Sequence, residues 1–551
     1  MTSTLSLPQL FQQRGESAET IYRRVVPVSR LADSHSSSAL PLPPAHVTQF
    51  LTSLASSNLP PSLSEISLLS SLKQSHLNLP SPPSLQSWDR DFYLHRHAAA
   101  TTTQTLPSLS PYFSVGTILN GLSTLFTNLY GASLVPSPAA PGETWHPSVR
   151  KLEVVDEIEG VIGYVYCDLF SREGKSGNAA HYTVRCSRRV DDDDIEGDLE
   201  LLEKTLGEGN WGTGGVWGGG SSGNGAGGGG LFGGFSKAGF DPRVGGLEVK
   251  EVKAKGREGS FQLPIAVLNC DFEMPTYSSG PTLLSYQEVE TIFHEMGHAM
   301  HCESSFALLL RPSRRSSNAY FFSSSLCSFP FHAAMLGRTS LHNVSGTRVP
   351  TDLAELPSIL MESFCSSSSI LPLLVSHHQT GLPPPASLLE AHKLQRASFP
   401  ALENSTQIHM ALLDQHLHSV HPQDAEKFDS TRINKELTNG MGLFPFVEGT
   451  APQILFGHLF GYGASYYSYL FDRAIAGRLW EEVFESGEGV GKKGGLDGLR
   501  GGGERLKGEL LMWGGGRDPW EMVAGVLEDE ELRSGDERAM RKVGEWGVGG
   551  K

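Results

Sequence analysis

The sequence has no apolar run near the ~18–20 residues that a transmembrane helix needs, so we expect no membrane span. The sequence has fewer basic than acidic residues, with 44 lysines and arginines against 60 aspartates and glutamates. The resulting net charge of −16 provides no basic surface for binding nucleic acid. The six cysteines are widely spaced without a C-x-x-C pair. This spacing predicts a reducing compartment rather than a disulfide-stapled secreted domain.

The N-terminal part of the chain is predicted to be helical. Residues 1–110 are rich in Ser, Pro and Leu, with helical stretches at Val47–Leu54 and Leu63–Leu72 that proline-rich turns separate. Helical spacing of apolar residues returns from Tyr112 to Tyr130. Arginines in the first thirty residues are interrupted by glutamates, so the sequence shows no clear transit peptide.

Short strands are predicted in the next part of the chain. Val161–Phe170 and His181–Cys186 are apolar or alternating, and the Gly- and Asn-containing turn between them predicts a hairpin. Residues 205–246 are dominated by glycine. The segment therefore has few side chains whose contacts could offset the entropy lost on ordering, so we expect a flexible loop. Ile265–Leu268 predicts a further strand. It can be an edge strand that pairs with an extended substrate, an ordinary core strand, or both at once.

An H-E-x-x-H motif, formed by His294, Glu295 and His298, follows directly on a predicted helix start. Ser285 and Glu288 have the spacing of a capping box, and the apolar residues Leu284 and Val289 flank it as a hydrophobic staple. An apolar stripe at helical spacing continues through the motif and comprises Val289, Ile292, Phe293, Met296 and Met300. The motif therefore lies on a helix with one buried face.

Histidines four residues apart on a helix lie about 6 Å apart along the axis and point the same way, so both rings can bind one zinc ion. His301 lies about 10.5 Å along the axis from His294, too far to join them on an unbroken helix. The third ligand must come from elsewhere. Histidines on helices are also common as surface or core residues, and this plainer interpretation stands beside the zinc site.

Several separated blocks resemble the M3, or thimet-oligopeptidase-like, metallopeptidases. The likeness covers most of residues 110–550 and rests on Tyr112–Gly116, Pro141–His146, Phe293–His301, Leu336–Thr339, Val344–Arg348, Glu355–Glu362, Phe456–Leu459, Tyr462–Arg473 and Trp513–Trp520. The resemblance implies a mainly α, two-lobed helical zincin fold with a small β-sheet next to the H-E-x-x-H helix.

The resemblance also implies how the site is built. It assigns Glu355 as the third ligand of one zinc ion per chain, on a second helix whose apolar stripe comprises Leu353, Leu356, Leu360 and Phe364. Zinc then activates a water molecule, and Glu295 takes the water proton and passes it to the leaving amine. Asp352 is predicted either to accept a hydrogen bond from the ring N–H of one of the two histidines or to cap the second helix.

The same resemblance assigns His458, Tyr462 and Tyr469 as donors of hydrogen bonds to the substrate carbonyl and the oxyanion. A second interpretation remains open for the tyrosines of this segment. Tyr462, Tyr466, Tyr467 and Tyr469 can equally form an aromatic helix face in the core.

Two departures from the family pattern define the predicted domains. Residues 1–110 form a partial N-terminal helical lobe, and residues 111–551 form the catalytic domain with the glycine-rich loop inserted at 205–246. Residues 302–333 form an atypical insert without a family counterpart, rich in Ser, Phe, Leu and Arg.

The resemblance implies a zinc endopeptidase of the mitochondrial matrix that acts as a monomer on precursor proteins and removes an N-terminal octapeptide from partly processed imports. No nucleic acid or membrane partner is expected. One alternative is a cytosolic oligopeptidase of the same family that degrades short peptides. The other is a catalytically dead peptide-binding or misassembled product, because the insert at 302–333 follows the metal helix directly and the N-terminal lobe is short.

Overall fold

The computed structural model of the protein describes residues 44–101, 107–175, 179–190, 249–252, 259–273, 280–301, 335–337, 349–396, 399–419, 428–461, 463–485 and 495–548. Three predictions lie outside these residues: the glycine-rich loop at 205–246, the insert at 302–333 and Tyr462.

Helices make up most of the described structure, as predicted. The α-helices are α1 Pro44–Leu77, α2 Asp89–Thr101, α3 Val115–Tyr130, α4 Tyr286–His301, α5 Leu356–Ser366, α6 Leu371–Leu374, α7 Ala386–Arg396, α8 Pro400–His418, α9 Ser430–Met441, α10 His458–Gly461, α11 Ser468–Leu479, α12 Arg500–Leu506, α13 Pro519–Leu527 and α14 Glu537–Trp546. Shorter 3-10 turns include Thr351–Leu353, immediately before α5. Among the described helices, none combines the length and hydropathy needed to cross a bilayer.

A five-stranded mixed sheet lies beside the motif helix. The strands are β1 Ala132–Ser137, β2 Arg150–Asp156, β3 Gly160–Phe170, β4 Ala180–Arg185, β5 Arg188–Arg189, β6 Val249–Val252, β7 Gly259–Gln262 and β8 Ile265–Phe272. The larger sheet has the order β1-β2-β3-β8-β4, and β5, β7 and β6 form a small second sheet. Within the larger sheet, β3 and β8 are parallel and the other neighbours are antiparallel.

The predicted hairpin between Val161–Phe170 and His181–Cys186 is wrong, because β8 lies between β3 and β4. Most of β3 is buried, which suits a central strand with partners on both sides. Burial in β4 is lower, as expected for an edge strand. The structure also settles the role of Ile265–Leu268, which belongs to the central strand β8, so the edge beside α4 is β4.

The predicted break between Val47–Leu54 and Leu63–Leu72 is also wrong, because α1 continues through Pro60 and Pro61. Proline removes a backbone donor and disfavours a helix interior, but side chains of α1 reach across to α8 at this point. Asn58 donates to the carbonyl oxygen of Ala401 at 2.8 Å, and Ser62 donates to the same oxygen at 3.1 Å. Packing against α8 therefore holds α1 together across the prolines.

The buried face of α4 confirms the predicted apolar stripe. Val289, Ile292, Phe293, Met296 and Met300 are all buried in the main hydrophobic core. Helix α3 also matches its predicted span, beginning three residues after Tyr112 and capped by Ser114, whose side chain accepts from Thr117 N–H. The stripe anchors α4 so that its polar face points away from the core.

Asp168 on β3 is a buried carboxylate held by cations. Arg172 donates to both of its oxygens, at 2.5 and 2.7 Å, Lys175 lies 3.1 Å away, and Trp145 Nε1 donates at 2.8 Å. Burial alone would raise its pKa, but the hydrogen bonds from Arg172 and Trp145 and the charge of Lys175 outweigh it and lower the pKa to about 2. This cluster fixes the end of β3 to the segment that follows it.

We expect the Asp168 cluster to contribute to acid unfolding. Asp168 titrates at about 2 when folded and at its ordinary 3.8 when unfolded, so its contribution is complete above pH 3.8 and is lost as pH falls towards 2. In urea unfolding, the wild type should lose about 2 kcal/mol more stability than Asp168→Asn between pH 5 and 2. Parallel stability curves for the two proteins would contradict this assignment.

Candidate metal centre

Helix α4 begins as its residues predict. Ser285 donates through its backbone N–H and its hydroxyl to Glu288 Oε2, at 2.7 and 2.8 Å, and Glu288 N–H donates back to Ser285 Oγ at 3.3 Å. This reciprocal pair is the predicted capping box. Leu284 and Val289 are both buried in the same core. The N-terminus of the helix is therefore fixed eight residues before the first histidine of the motif.

Three predicted ligands meet at one point. His294 Nε2 and His298 Nε2 lie 3.0 Å apart, and Glu355 Oε2 lies 3.5 Å from the first and 3.3 Å from the second. A tetrahedral ion with bonds of ~2.0–2.1 Å, such as zinc, needs ligand atoms about 3.3 Å apart. Among the described residues, this is the cluster of histidine and carboxylate groups that could hold a metal. The predicted ligand set therefore fits a metal ion in both spacing and chemistry.

Glu355 is the residue immediately before α5, with φ −84° and ψ −10°. Its side chain is buried, and Ser358 Oγ lies 3.3 Å from Glu355 Oε2. The predicted apolar stripe on this second helix is confirmed, since Leu353, Leu356, Leu360 and Phe364 are all buried. Burial of this stripe turns the start of α5 towards α4.

A glycine inside the motif allows the two ligand-bearing helices to approach. A Cβ atom at Gly297 would lie 2.7 Å from Ser358 Cα and 2.9 Å from the carbonyl oxygen of Pro357. Any side chain at position 297 would therefore push α5 away from the histidines. This role of Gly297 was not predicted, although a glycine in the interior of a helix is itself a sign of close packing.

Glu362 orients the first histidine. His294 Nδ1 lies 2.7 Å from Glu362 Oε1, so this ring nitrogen donates and leaves Nε2 to face Glu355 and His298. Burial would lower the pKa of His294, but its hydrogen bonds to Glu355 and Glu362 outweigh this and raise the pKa well above its ordinary value. The structure thus gives Glu362 the part predicted for Asp352, which instead accepts a hydrogen bond from Tyr467 at 3.0 Å.

Replacing Glu362 tests this orienting contact. We expect Glu362→Ala to weaken metal binding by roughly 10-fold to 100-fold, the usual effect of removing the partner of a ligating histidine. Glu362→Gln keeps an acceptor for His294 Nδ1 and should retain most of the affinity. Titration against a chromophoric chelator measures both constants. Equal affinities for the wild type and Glu362→Ala would show that the contact does not orient the ring.

Glu295 lies beside the ligands without joining them. It is buried and accepts a hydrogen bond from the backbone amide of His181 on β4. Within the described part of the chain, its second oxygen, Oε2, has no hydrogen-bond partner. Burial raises the pKa of Glu295 above its ordinary value, so the group binds a proton more readily than an exposed glutamate. The contact with β4 was not predicted, because it joins residues far apart in sequence.

His458 and Tyr469, which are predicted donors to the substrate, lie next to each other. The two ring centroids are 5.8 Å apart, and Tyr466 contacts both rings, at 5.3 and 5.0 Å. His458 is an exposed residue at the start of α10. Partial desolvation of its ring lowers its pKa, and this effect outweighs the negative charges of Glu355 and Asp414, which raise it. Because the charge of Glu355 acts on the pKa of His458, the histidine ring lies within electrostatic range of that carboxylate.

The core interpretation fits two of the other tyrosines. Tyr466 and Tyr467 are buried, and their hydroxyl groups donate to Gln407 Oε1 at 2.9 Å and Asp352 Oδ2 at 3.0 Å. Tyr469 is half-buried and packs against the core with its ring beside His458. The segment therefore combines core tyrosines with one that lies beside His458.

Comparison with known proteins agrees with this site. A sequence model described as Peptidase family M3 matches residues 12–214, 222–307 and 331–542. The chain is 45% identical to mitochondrial intermediate peptidase 2 of Cryptococcus neoformans, over 92% of this chain and 55% of that protein. It is 41% identical to the mitochondrial intermediate peptidase of Coprinopsis cinerea, over 99% and 59% of the two chains.

A third relative, the mitochondrial intermediate peptidase of Sclerotinia sclerotiorum, is 40% identical over 98% of this chain and 60% of its own length. The chain thus spans little more than half the length of these relatives. The family match covers most of the sequence and includes the motif helix, the Glu355 segment and the His458–Tyr469 region. On these grounds the chain belongs to peptidase family M3.

Proposed function

We propose that the protein is a zinc endopeptidase that removes N-terminal octapeptides from partly processed precursors imported into the mitochondrial matrix. One observation carries this proposal: Glu355 Oε2 lies within 3.5 Å of both histidine Nε2 atoms, with Glu295 beside them. Its biological setting is supported by relatives that bear the name mitochondrial intermediate peptidase.

The chemistry follows from the arrangement of the side chains. Zinc held by His294, His298 and Glu355 would polarise the scissile carbonyl and make a bound water acidic near neutral pH. Glu295 takes the water proton on its unpartnered Oε2 atom and then delivers it to the leaving amine. The amide of His181 holds this carboxylate in place during the transfer.

Donors from the tyrosine segment would stabilise the negative charge that forms on the substrate oxygen. His458 and Tyr469 are the described candidates, because their rings pack together and the charge of Glu355 acts on the pKa of His458. Tyr462 is proposed for the same role from the family resemblance. Hydrogen bonds of this kind act on charge that develops only in the transition state, and each typically contributes about 100-fold to 1,000-fold in rate.

The edge of the described five-stranded sheet that lies beside α4 is the proposed binding place for the extended substrate backbone. Strand β4 forms this edge, and its residue His181 contacts Glu295. A peptide that pairs with β4 would therefore pass directly in front of the proposed base. This proposal moves the predicted substrate strand from Ile265–Leu268 to Ala180–Arg185.

A processing assay with the purified full chain tests the proposed function. We expect one zinc per chain and cleavage of a precursor that carries an N-terminal octapeptide at one defined bond, with little cleavage of unrelated short peptides. The matched precursor without its octapeptide should remain intact. Equal turnover of generic short peptides would instead support the cytosolic oligopeptidase.

The assay also tests the catalytically inactive alternative. The family match leaves out residues 308–330, within the predicted insert at 302–333. Zinc bound without turnover, with activity restored when residues 302–333 are deleted, would support an inactive chain and contradict the proposal. Equal activity of the full chain and the deletion variant would show that the insert does not block the site.

A further inference from the structure

The third ligand is held by contacts that neither the motif nor its helix supplies. Glu355 lies between the 3-10 turn Thr351–Leu353 and the start of α5. At this position its backbone N–H belongs to the first turn of a helix, where such groups have no partner within the helix itself. The direction of the Glu355 side chain therefore depends on what fixes this short connecting segment.

Two hydrogen bonds from the region of α11 fix it. Asp472 Oδ2 accepts from the backbone N–H of Glu355 at 3.0 Å, across 117 positions of sequence. Tyr467, the residue before α11, donates from its hydroxyl to Asp352 Oδ2 at 3.0 Å. Asp472 is completely buried and Tyr467 nearly so, which strengthens both contacts because water does not compete for them.

The start of α11 is itself anchored to α8. Asp414, completely buried on α8, accepts from the backbone amides of Ala464 and Tyr466, each at 2.9 Å. Gln415 donates to the carbonyl oxygen of Ala464 at 2.8 Å. Side chains of α8 thus hold the turn that leads into α11 through three hydrogen bonds. The support behind Asp472 and Tyr467 is therefore a fixed element and not a loose surface segment.

We propose that Asp472 and Tyr467 are positioning residues for the third metal ligand. By fixing the backbone on both sides of Ala354, they hold Glu355 Oε2 at 3.3 and 3.5 Å from the two histidine nitrogens. Loss of the Asp472 acceptor leaves a buried amide unsatisfied and frees the segment to move. The inference rests on the proposed metal-binding role of Glu355 and adds two residues that act through it.

Zinc affinity tests the inference without any measurement of activity. Competition with a chromophoric chelator is expected to show a roughly 10-fold to 100-fold loss in Asp472→Ala and a smaller loss, about 3-fold to 10-fold, in Tyr467→Phe. Asp472→Asn keeps an acceptor for the Glu355 amide and should recover most of the affinity. Circular dichroism confirms that each variant is folded before its affinity is compared.

A buried carboxylate on β2, whose partners are not the proposed ligands, provides the matched control. Asp156 accepts hydrogen bonds from the backbone amides of Ile158 and Glu159 and forms an ion pair with Lys507 at 3.0 Å. Asp156→Ala should lower thermal stability and leave zinc affinity unchanged. An affinity loss in Asp156→Ala equal to that in Asp472→Ala would reduce the effect to general destabilisation and overturn the inference.

The remaining outcomes are also decisive. Wild-type zinc affinity in folded Asp472→Ala or in Tyr467→Phe would overturn the inference, and so would an Asp472→Asn variant as weak as Asp472→Ala. Should Asp472→Ala not fold, Tyr467→Phe decides alone, because it removes one hydroxyl group. Failure of the metal site itself is distinguishable, since zinc affinity would then be insensitive to Glu355→Gln as well.

Discussion

Replacing Glu295 with glutamine is expected to reduce peptide hydrolysis by roughly 100-fold to 10,000-fold while zinc binding stays at the wild-type level. Glutamine fills the same buried space and still accepts the hydrogen bond from the His181 amide, but it cannot take up a proton. Because Glu295 lies beside the ligands and is not one of them, the metal should remain bound with unchanged stoichiometry. Single-turnover cleavage of a precursor and a zinc determination measure the two effects separately.

Glu290→Gln is the matched control for this variant, because Glu290 lies on the same helix nearer its start. It should cleave at close to the wild-type rate. Loss of zinc from Glu295→Gln would make Glu295 a ligand, and near-normal cleavage by Glu295→Gln would remove it from the proton transfer. Either result would contradict the proposed role.

Replacing Glu355 with glutamine is expected to weaken zinc binding strongly and to reduce hydrolysis with it. The change removes the negative charge that balances the metal and leaves a neutral amide oxygen, a poor ligand for zinc. We expect affinity to fall at least about 100-fold, the upper limit for losing an outer partner of a ligand. Isothermal titration with zinc and the precursor assay give the two results.

The contrast between the two glutamates is the informative part of this prediction. Glu355→Gln should lose metal and activity together, whereas Glu295→Gln should lose activity alone. Adding excess zinc should restore part of the activity of Glu355→Gln and none of that of Glu295→Gln. A Glu355→Gln protein that keeps full zinc affinity would exclude this carboxylate from the ligand set.

The motif helix could be predicted from sequence because its determinants are local. The capping box, the apolar stripe and the H-E-x-x-H residues all lie within Leu284–His301, so neighbouring residues settle where α4 begins and which face it buries. Glu355 could be assigned only through the family resemblance. Nothing in its own neighbourhood shows that it meets residues of α4 in space.

The wrong predictions share a cause: each concerns a structure that depends on contacts with residues far away in the sequence. The turn between β3 and β4 resembled a hairpin, but β8, which pairs with both, begins 80 residues after β4 ends. Similarly, α1 continues through two prolines because α8 supports it. Glu362, Gly297, His181 and Asp472 were missed as supports of the site, since each acts across a contact between separate elements.

X-ray absorption at the zinc edge of the zinc-loaded protein tests the central claim most directly. We predict a four-coordinate shell of nitrogen and oxygen atoms at ~2.0–2.1 Å, with the outer scattering of two imidazole rings, and a much weaker zinc signal from Glu355→Gln after the same loading and dialysis. A sulfur ligand near ~2.3 Å, a different number of imidazoles, or a zinc signal of wild-type strength from Glu355→Gln would contradict a site built from His294, His298 and Glu355.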